Sequence, residues 1–271
     1  MSLRFLDHIG RATPQRFHHA LKMSGQMPLL WLGYRRRQQS KSLAKNESPP
    51  DSSNPLRTYF DAIRDGPGVL KWLHYFEIYD RHFQKFRGRD VSVLEIGVYS
   101  GGSLGMWKDY FGPQCRIYGV DIDERCKKFE DDSVKIFIGD QGDRAFWKRF
   151  KAEVPTIDIL IDDGGHQAHQ QIVTFEEMLS HLQPGGVFLC EDLTGEFTGF
   201  VSYLTGFIHK LNAYDLTVTP EDHGRYLAST ASEIQSHIHA VTFYPFIAAI
   251  EKRERPLTEF IAQKHGTQWE W

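Results

Sequence analysis

Val91-Ser92-Val93-Leu94-Glu95-Ile96-Gly97-Val98-Tyr99-Ser100-Gly101-Gly102 is the stretch on which the fold turns. Its first six residues are rich in β-branched and apolar side chains, as in a strand buried on both faces. Gly97 lets the chain turn sharply where that strand ends. Gly101 and Gly102 let a ligand come close to the start of the next element. From Gly101 to Tyr110 the pattern is helical. Strand, glycine turn and helix together make one βα unit.

The same unit recurs down the chain. Arg116 to Val120 reads as a second strand, ending in Asp121-Ile122-Asp123. Val134 to Ile138 is a third, ending in Gly139-Asp140, with a helix over Arg144 to Ala152. Ile157 to Ile161 is a fourth, followed by a helix from about Ala168 to Leu182. Pro184-Gly185-Gly186 turns into a fifth, Val187 to Cys190, and a helix over about Phe197 to Leu211 follows. The end differs. His237 to Phe243 and Phe246 to Ile250 are separated only by Tyr244-Pro245, too short for a parallel crossover, so these two strands must be antiparallel. Five βα units and a closing hairpin predict an α/β, doubly wound sheet with one reversed strand.

In such sheets ligands bind beyond the carboxyl ends of the strands. The acids of this chain gather there. Glu95 precedes the first glycine, and Asp121, Asp140-Gln141, Asp162-Asp163 and Glu191-Asp192 close the next four strands. A single acid after a strand is an ordinary turn former or helix cap. Four successive strands ending this way call for a ligand. The glycine spacing is not the Gly-x-Gly-x-x-Gly of dinucleotide sites, and Glu95 suits a cationic ligand better than a pyrophosphate. Asp121 is placed to accept hydrogen bonds from two ribose hydroxyls, and Asp140-Gln141 to face an adenine. The carboxylates of the fourth and fifth strands repel one another unless a cation holds them. Oxygen donors alone suit Mg²⁺. His166, three residues past Asp163, is placed to act as a general base. Asp162 is left with two readings, metal ligand or contact to the cofactor.

In their order, Glu95-x-Gly-x-x-x-Gly-Gly, Gly119-Val120-Asp121, Gly139-Asp140, Asp162-Asp163-Gly164-Gly165-His166 and Pro184-Gly185-Gly186 resemble class I S-adenosylmethionine-dependent methyltransferases. Within that class the chain is most similar to the metal-dependent sugar O-methyltransferases of macrolide biosynthesis and to cephalosporin hydroxylase-like proteins. The likeness spans about residues 57–252 and includes the closing pattern from His239 to Lys252. It implies a Rossmann-like seven-stranded sheet with the last strand antiparallel and helices on both faces. It implies S-adenosylmethionine bound by Glu95, Gly97, Tyr99, Gly101, Asp121, Asp140 and Gln141, with Asp162 near its amino acid end. It implies Mg²⁺ on Asp163, Glu191 and Asp192, and His166 as the base. The reaction implied is methyl transfer to a hydroxyl of a small-molecule acceptor, such as a sugar or glycosylated natural product. The family's large auxiliary N-terminal domain has no counterpart in residues 1–55, which leaves the acceptor open. The alternatives are a cephalosporin hydroxylase-like protein and a non-catalytic cofactor-binding, membrane- or partner-associated protein.

The bulk numbers fit a globular enzyme. Of 271 residues 41% are hydrophobic and 25% charged, and the net charge is −3. Residues 1–45 hold nine Lys and Arg against Asp7 alone, a net +8, which leaves −11 on the remainder. An acidic body argues against nucleic-acid binding. The basic arm suits a membrane surface or a partner subunit, and a homo-oligomer is compatible with it. Residues 38–55, rich in Ser, Asn and Pro, predict a flexible linker. The domains expected are therefore an arm with linker over 1–55 and a methyltransferase domain over 56–271. No apolar run approaches the roughly 20 residues of a membrane span, and a cytoplasmic location is expected. Cys115, Cys126 and Cys190 are expected to be reduced and buried.

Overall fold

The computed structural model describes residues 54–195, 198–213, 216–218 and 226–266. The chain divides into Met1–Pro50 and Asp51–Trp271, and every described residue lies in the second unit. The expected basic arm falls outside the described residues, as does the linker up to Ser53. Asn54 and Pro55, at the linker's expected end, open the first helix. Pro55 starts α1 (Pro55–Ala62), Asn54 caps it by accepting from the Arg57 N–H, and the Asn54 amide donates to the Phe76 carbonyl at 2.8 Å. Pro at a first helical position gives up no hydrogen bond.

The sheet is built as the alternation predicts. The strands are β1 (Val91–Ile96), β2 (Cys115–Asp121), β3 (Val134–Ile138), β4 (Ile157–Asp162) and β5 (Leu182–Cys190), with β8 (Ile238–Tyr244) and β9 (Ile247–Lys252) after them. Their spatial order is β3-β2-β1-β4-β5-β9-β8. The first five are parallel, and β9 runs antiparallel to both β5 and β8. The chain winds outward from β1 to β3, returns to β4, and winds the other way. The two directions part between β1 and β4, the switch point at which such sheets bind ligands.

Helices cover both faces: α2 (Tyr75–Phe83), α3 (Gly102–Phe111), α4 (Arg144–Glu153), α5 (Ala168–Met178) and α6 (Gly199–Leu211). Alternate strand residues feed two cores. Val93, Ile117, Ile159 and Leu189 pack with Tyr79, Phe83, Trp107 and Phe111 from α2 and α3. Leu94, Val120, Leu160 and Phe188 pack with Trp147, Phe150 and Phe175 from α4 and α5. Because both faces are covered, the strands are mostly apolar, and polar side chains such as Arg116 and Lys135 sit at exposed strand positions. All three cysteines are buried and unpaired.

Two details differ from expectation. The helix expected to reach Leu182 ends at Met178, and Leu182 already belongs to β5. A second antiparallel sheet, β10-β7-β6, joins β6 (Leu216–Val218), β7 (Tyr226–Thr230) and β10 (Glu259–Gln263). A short helix α7 (Glu233–His237), closed by a Ser232/Gln235 capping box, leads from β7 into β8. Among the described residues no helix is long and apolar enough to cross a membrane.

Candidate active site

The carboxyl ends of β1 to β5 open into a cavity of about 830 Å³. One wall is the glycine loop after β1. Gly97 has φ +91°, and a Cβ there would collide with the Asp163 carbonyl. A Cβ on Gly101, φ +75°, would strike the Phe129 ring. These two positions therefore need glycine for both angle and space. Tyr99 takes φ +48° without being glycine, and its ring is 83% exposed at the cavity mouth.

On this side the expected cofactor residues take distinct places. Asp121 accepts from the Tyr99 N–H and the Asp123 N–H, both at 2.9 Å, and lines the cavity. Asp140 lines the cavity too and accepts from the Gly142 N–H at 2.7 Å. Gln141 turns inward: its amide donates to Asp162 at 2.9 Å and its oxygen accepts from the Gly165 N–H at 2.7 Å. Glu95 lies beneath the cavity, not on its wall. It is buried and accepts from the Ser103 hydroxyl at 2.7 Å and the Trp107 indole at 3.0 Å. Burial pushes its carboxyl up, and the nearby Lys71 opposes that.

The opposite wall is acidic. Asp163, His166 and Asp192 offer ligand atoms that all lie within 4.8 Å of one another. His166 Nε2 is 3.8 Å from Asp192 Oδ2 and 4.0 Å from Asp163 Oδ1. His166 and Asp192 both take left-handed backbone angles, φ +54° and +53°. Such angles are strained for non-glycine residues, and strain of this kind collects at functional sites. Asp162 stands apart: it is buried, bonded to Gln141, and its Oδ2 has no partner among the described residues. Burial raises its carboxyl to about 6.

Sequence reasoning missed three residues that converge on these acids. Lys71 is 3% exposed, and its Nζ donates to Asp163 Oδ2 at 2.5 Å and Glu191 Oε2 at 2.8 Å. Tyr79 donates to Glu191 Oε1 at 2.6 Å, and Tyr75 to Asp192 Oδ1 at 2.6 Å. Both oxygens of fully buried Glu191 are therefore occupied. Burial alone would lower the Lys71 ammonium, but Glu191 and Asp163 outweigh it and push it up. Burial pushes Glu191 up against the pull of Lys71. The available signal was the lone charge in Val69-Leu70-Lys71-Trp72-Leu73.

The acids fit a divalent cation. Asp163 and Glu191 already converge on a positive group, and Asp163 and Asp192 line the cavity. All these donors are carboxylate oxygens, as Mg²⁺ prefers.

Residues 94–193, the span from β1 through the last of these acids, match the sequence pattern of a family described as a methyltransferase domain. Over these residues the chain resembles methyltransferases. It is 32% identical over 206 residues to demethylmacrocin O-methyltransferase of Streptomyces fradiae, covering 67% of this chain and 50% of that protein. It is 38% identical over 160 residues to mycinamicin VI 2''-O-methyltransferase of Micromonospora griseorubida, covering 56% of this chain and 38% of that one. Among solved structures it resembles the methyltransferase MycE of the mycinamycin biosynthetic pathway, in complex with Mg, SAH and mycinamycin VI. That likeness has TM-score 0.59 at 28% identity and covers 76% of this chain and 54% of the other. The chain spans about half or less of these relatives' lengths.

Proposed function

We propose that this methyltransferase transfers a methyl group from S-adenosylmethionine to a hydroxyl of a small-molecule acceptor, a sugar or glycosylated natural product, with Mg²⁺ bound. The observation that carries the reading is the convergence of Asp163, Glu191, Asp192 and His166 beside the glycine-loop cavity. The likeness to sugar O-methyltransferases supports it.

Asp121 and Asp140 would hold the adenosine end of the cofactor, with Gly97 and Gly101 keeping the loop close enough to enclose it. Asp163, Glu191 and Asp192 would hold the ion. When bound, the cofactor supplies an electrophilic methyl on a sulfonium, and the ion orients and acidifies an acceptor hydroxyl. His166 Nε2 takes the hydroxyl proton as the oxygen attacks the methyl carbon. Methyl transfer would leave S-adenosylhomocysteine, the carbon–sulfur bonding pair staying on sulfur. His166 Nε2 lies 3.8 Å from Asp192 and 4.0 Å from Asp163, which places the base beside the ion's ligands. Holding both reactants in line supplies much of the rate.

The test is release of S-adenosylhomocysteine from a library of glycosylated acceptors, with and without EDTA. Turnover that EDTA abolishes and Mg²⁺ restores is expected. Turnover indifferent to EDTA removes the metal from the mechanism. Calorimetry that detects no S-adenosylmethionine binding removes the reaction.

The +8 charge of residues 1–45 supports a second, separate proposal, contact with an anionic membrane or partner from a cytoplasmic location. Co-sedimentation with phosphatidylserine vesicles that persists after removal of residues 1–45 rules out the membrane part.

A further inference from the structure

The Lys71 ammonium bonds two of the acids read as metal ligands, Asp163 and Glu191. Resting on the reading of Asp163, Glu191 and Asp192 as metal ligands, we infer that the Lys71 ammonium and the divalent cation are alternative occupants of one carboxylate cage. Loading the cation displaces the Lys71 side chain and frees Glu191 to complete the ligand set.

Charge and distance carry the argument. The ammonium lies 2.5 Å from Asp163 and 2.8 Å from Glu191, already at hydrogen-bonding distance from two of the three acids. A divalent cation bound by the same oxygens would sit about 2.0–2.1 Å from them. Two positive groups on one carboxylate pair would lie within a few ångströms in a buried setting, where repulsion is weakly screened. The third acid, Asp192, is held through Oδ1 by Tyr75, and its Oδ2 lies 3.8 Å from His166 Nε2. The site without Lys71 carries three carboxylates and one unmatched demand for a cation.

The segment that carries Lys71 is built to yield. Residues 63–74, between α1 and α2, form no helix or strand. Its ends are tied: the Gly68 carbonyl accepts from Ser100 at 2.7 Å, and His74 contacts the Pro245 carbonyl at 3.0 Å. Between these ties, Leu70, Trp72 and Leu73 are 92%, 52% and 55% exposed. Withdrawing Lys71 therefore uncovers little apolar surface. The same residues line the cavity mouth, so the exchange of cations reshapes the wall that an acceptor meets.

The experiment titrates Mn²⁺ into the full chain by electron paramagnetic resonance and compares the wild type with Lys71→Met and Lys71→Arg. Removing one unit charge a few ångströms away should tighten Mn²⁺ binding about tenfold in Lys71→Met. Lys71→Arg, which keeps the charge, should bind no more tightly than the wild type. Equal or weaker binding by Lys71→Met overturns the exchange while leaving the metal reading intact. No Mn²⁺ binding by the wild type or Lys71→Met overturns both. A second measurement does not depend on a variant folding. In the wild type, Lys71 should resist amine acetylation, read by mass spectrometry, and become reactive when Mn²⁺ is saturating. Continued protection of Lys71 with Mn²⁺ bound also overturns the exchange.

Discussion

Gly97 shows how little room single residues have around this cavity. Its φ of +91° excludes most side chains, and the Asp163 carbonyl fills the space a methyl would need. Gly97→Ala should therefore cost at least about 2 kcal/mol of stability in denaturant unfolding and move the acidic loop. Cofactor affinity, read by calorimetry, should fall with it. His166 is a different case, since it is 40% exposed and holds up no core. His166→Gln should lower turnover at least about a hundredfold while leaving the melting temperature and S-adenosylmethionine affinity unchanged. Full activity in that variant removes the base. The residues legible in the sequence were those that close strands, because a glycine or acid after an apolar run marks its own place. Lys71, Tyr75 and Tyr79 were not legible. They reach Asp163, Glu191 and Asp192 across 92 to 120 residues of chain, and in one dimension their segment reads only as packing. The inward turn of Gln141 was hidden for a related reason, since its partners lie on β4 and α5.

At the scale of elements, a polar contact ties α2 to the β8–β9 hairpin. His82 of α2 lies 3.4 Å from Glu251 of β9 and 3.0 Å from the Tyr244 hydroxyl of β8. The bond from His82 holds the Glu251 carboxyl below its usual range. A depressed carboxyl stabilises the fold above its unfolded value of about 4.3, and that contribution is lost as pH falls through the folded value. The wild type should accordingly lose more melting temperature than Glu251→Gln between about pH 5 and pH 3, by about 2 °C. Parallel slopes in calorimetry would show that the contact contributes nothing. The order and type of the main elements were readable because apolar runs of strand length alternate with helical periods. The β6–β7–β10 sheet was not. Its strands are three to five residues long, and every residue of β10 is exposed, so no apolar run announces it.

For the whole molecule, the sheet divides the labour. Strands β1 to β3 bring the glycine loop, Asp121 and Asp140, β4 and β5 bring the remaining acids, and β9 closes the sheet with antiparallel pairing to β5. The cavity lies over the switch point, so a ligand there bridges both halves of the winding. Saturation with S-adenosylhomocysteine at about a hundred times its dissociation constant should raise the melting temperature by about 5–10 °C. A melting temperature insensitive to the ligand would place binding elsewhere.

Trp72, at the rim of the cavity, is 52% exposed, whereas Trp107 and Trp147 are sealed in the two cores. The protein thereby carries its own optical probe. Among the described tryptophans, only Trp72 should emit at the red edge and yield to acrylamide. An acceptor settling over the acidic wall should shift that emission to the blue and shield it from the quencher. Trp72→Phe should abolish the signal and keep the fold, so acceptor affinity could be read from unlabelled protein in a cuvette.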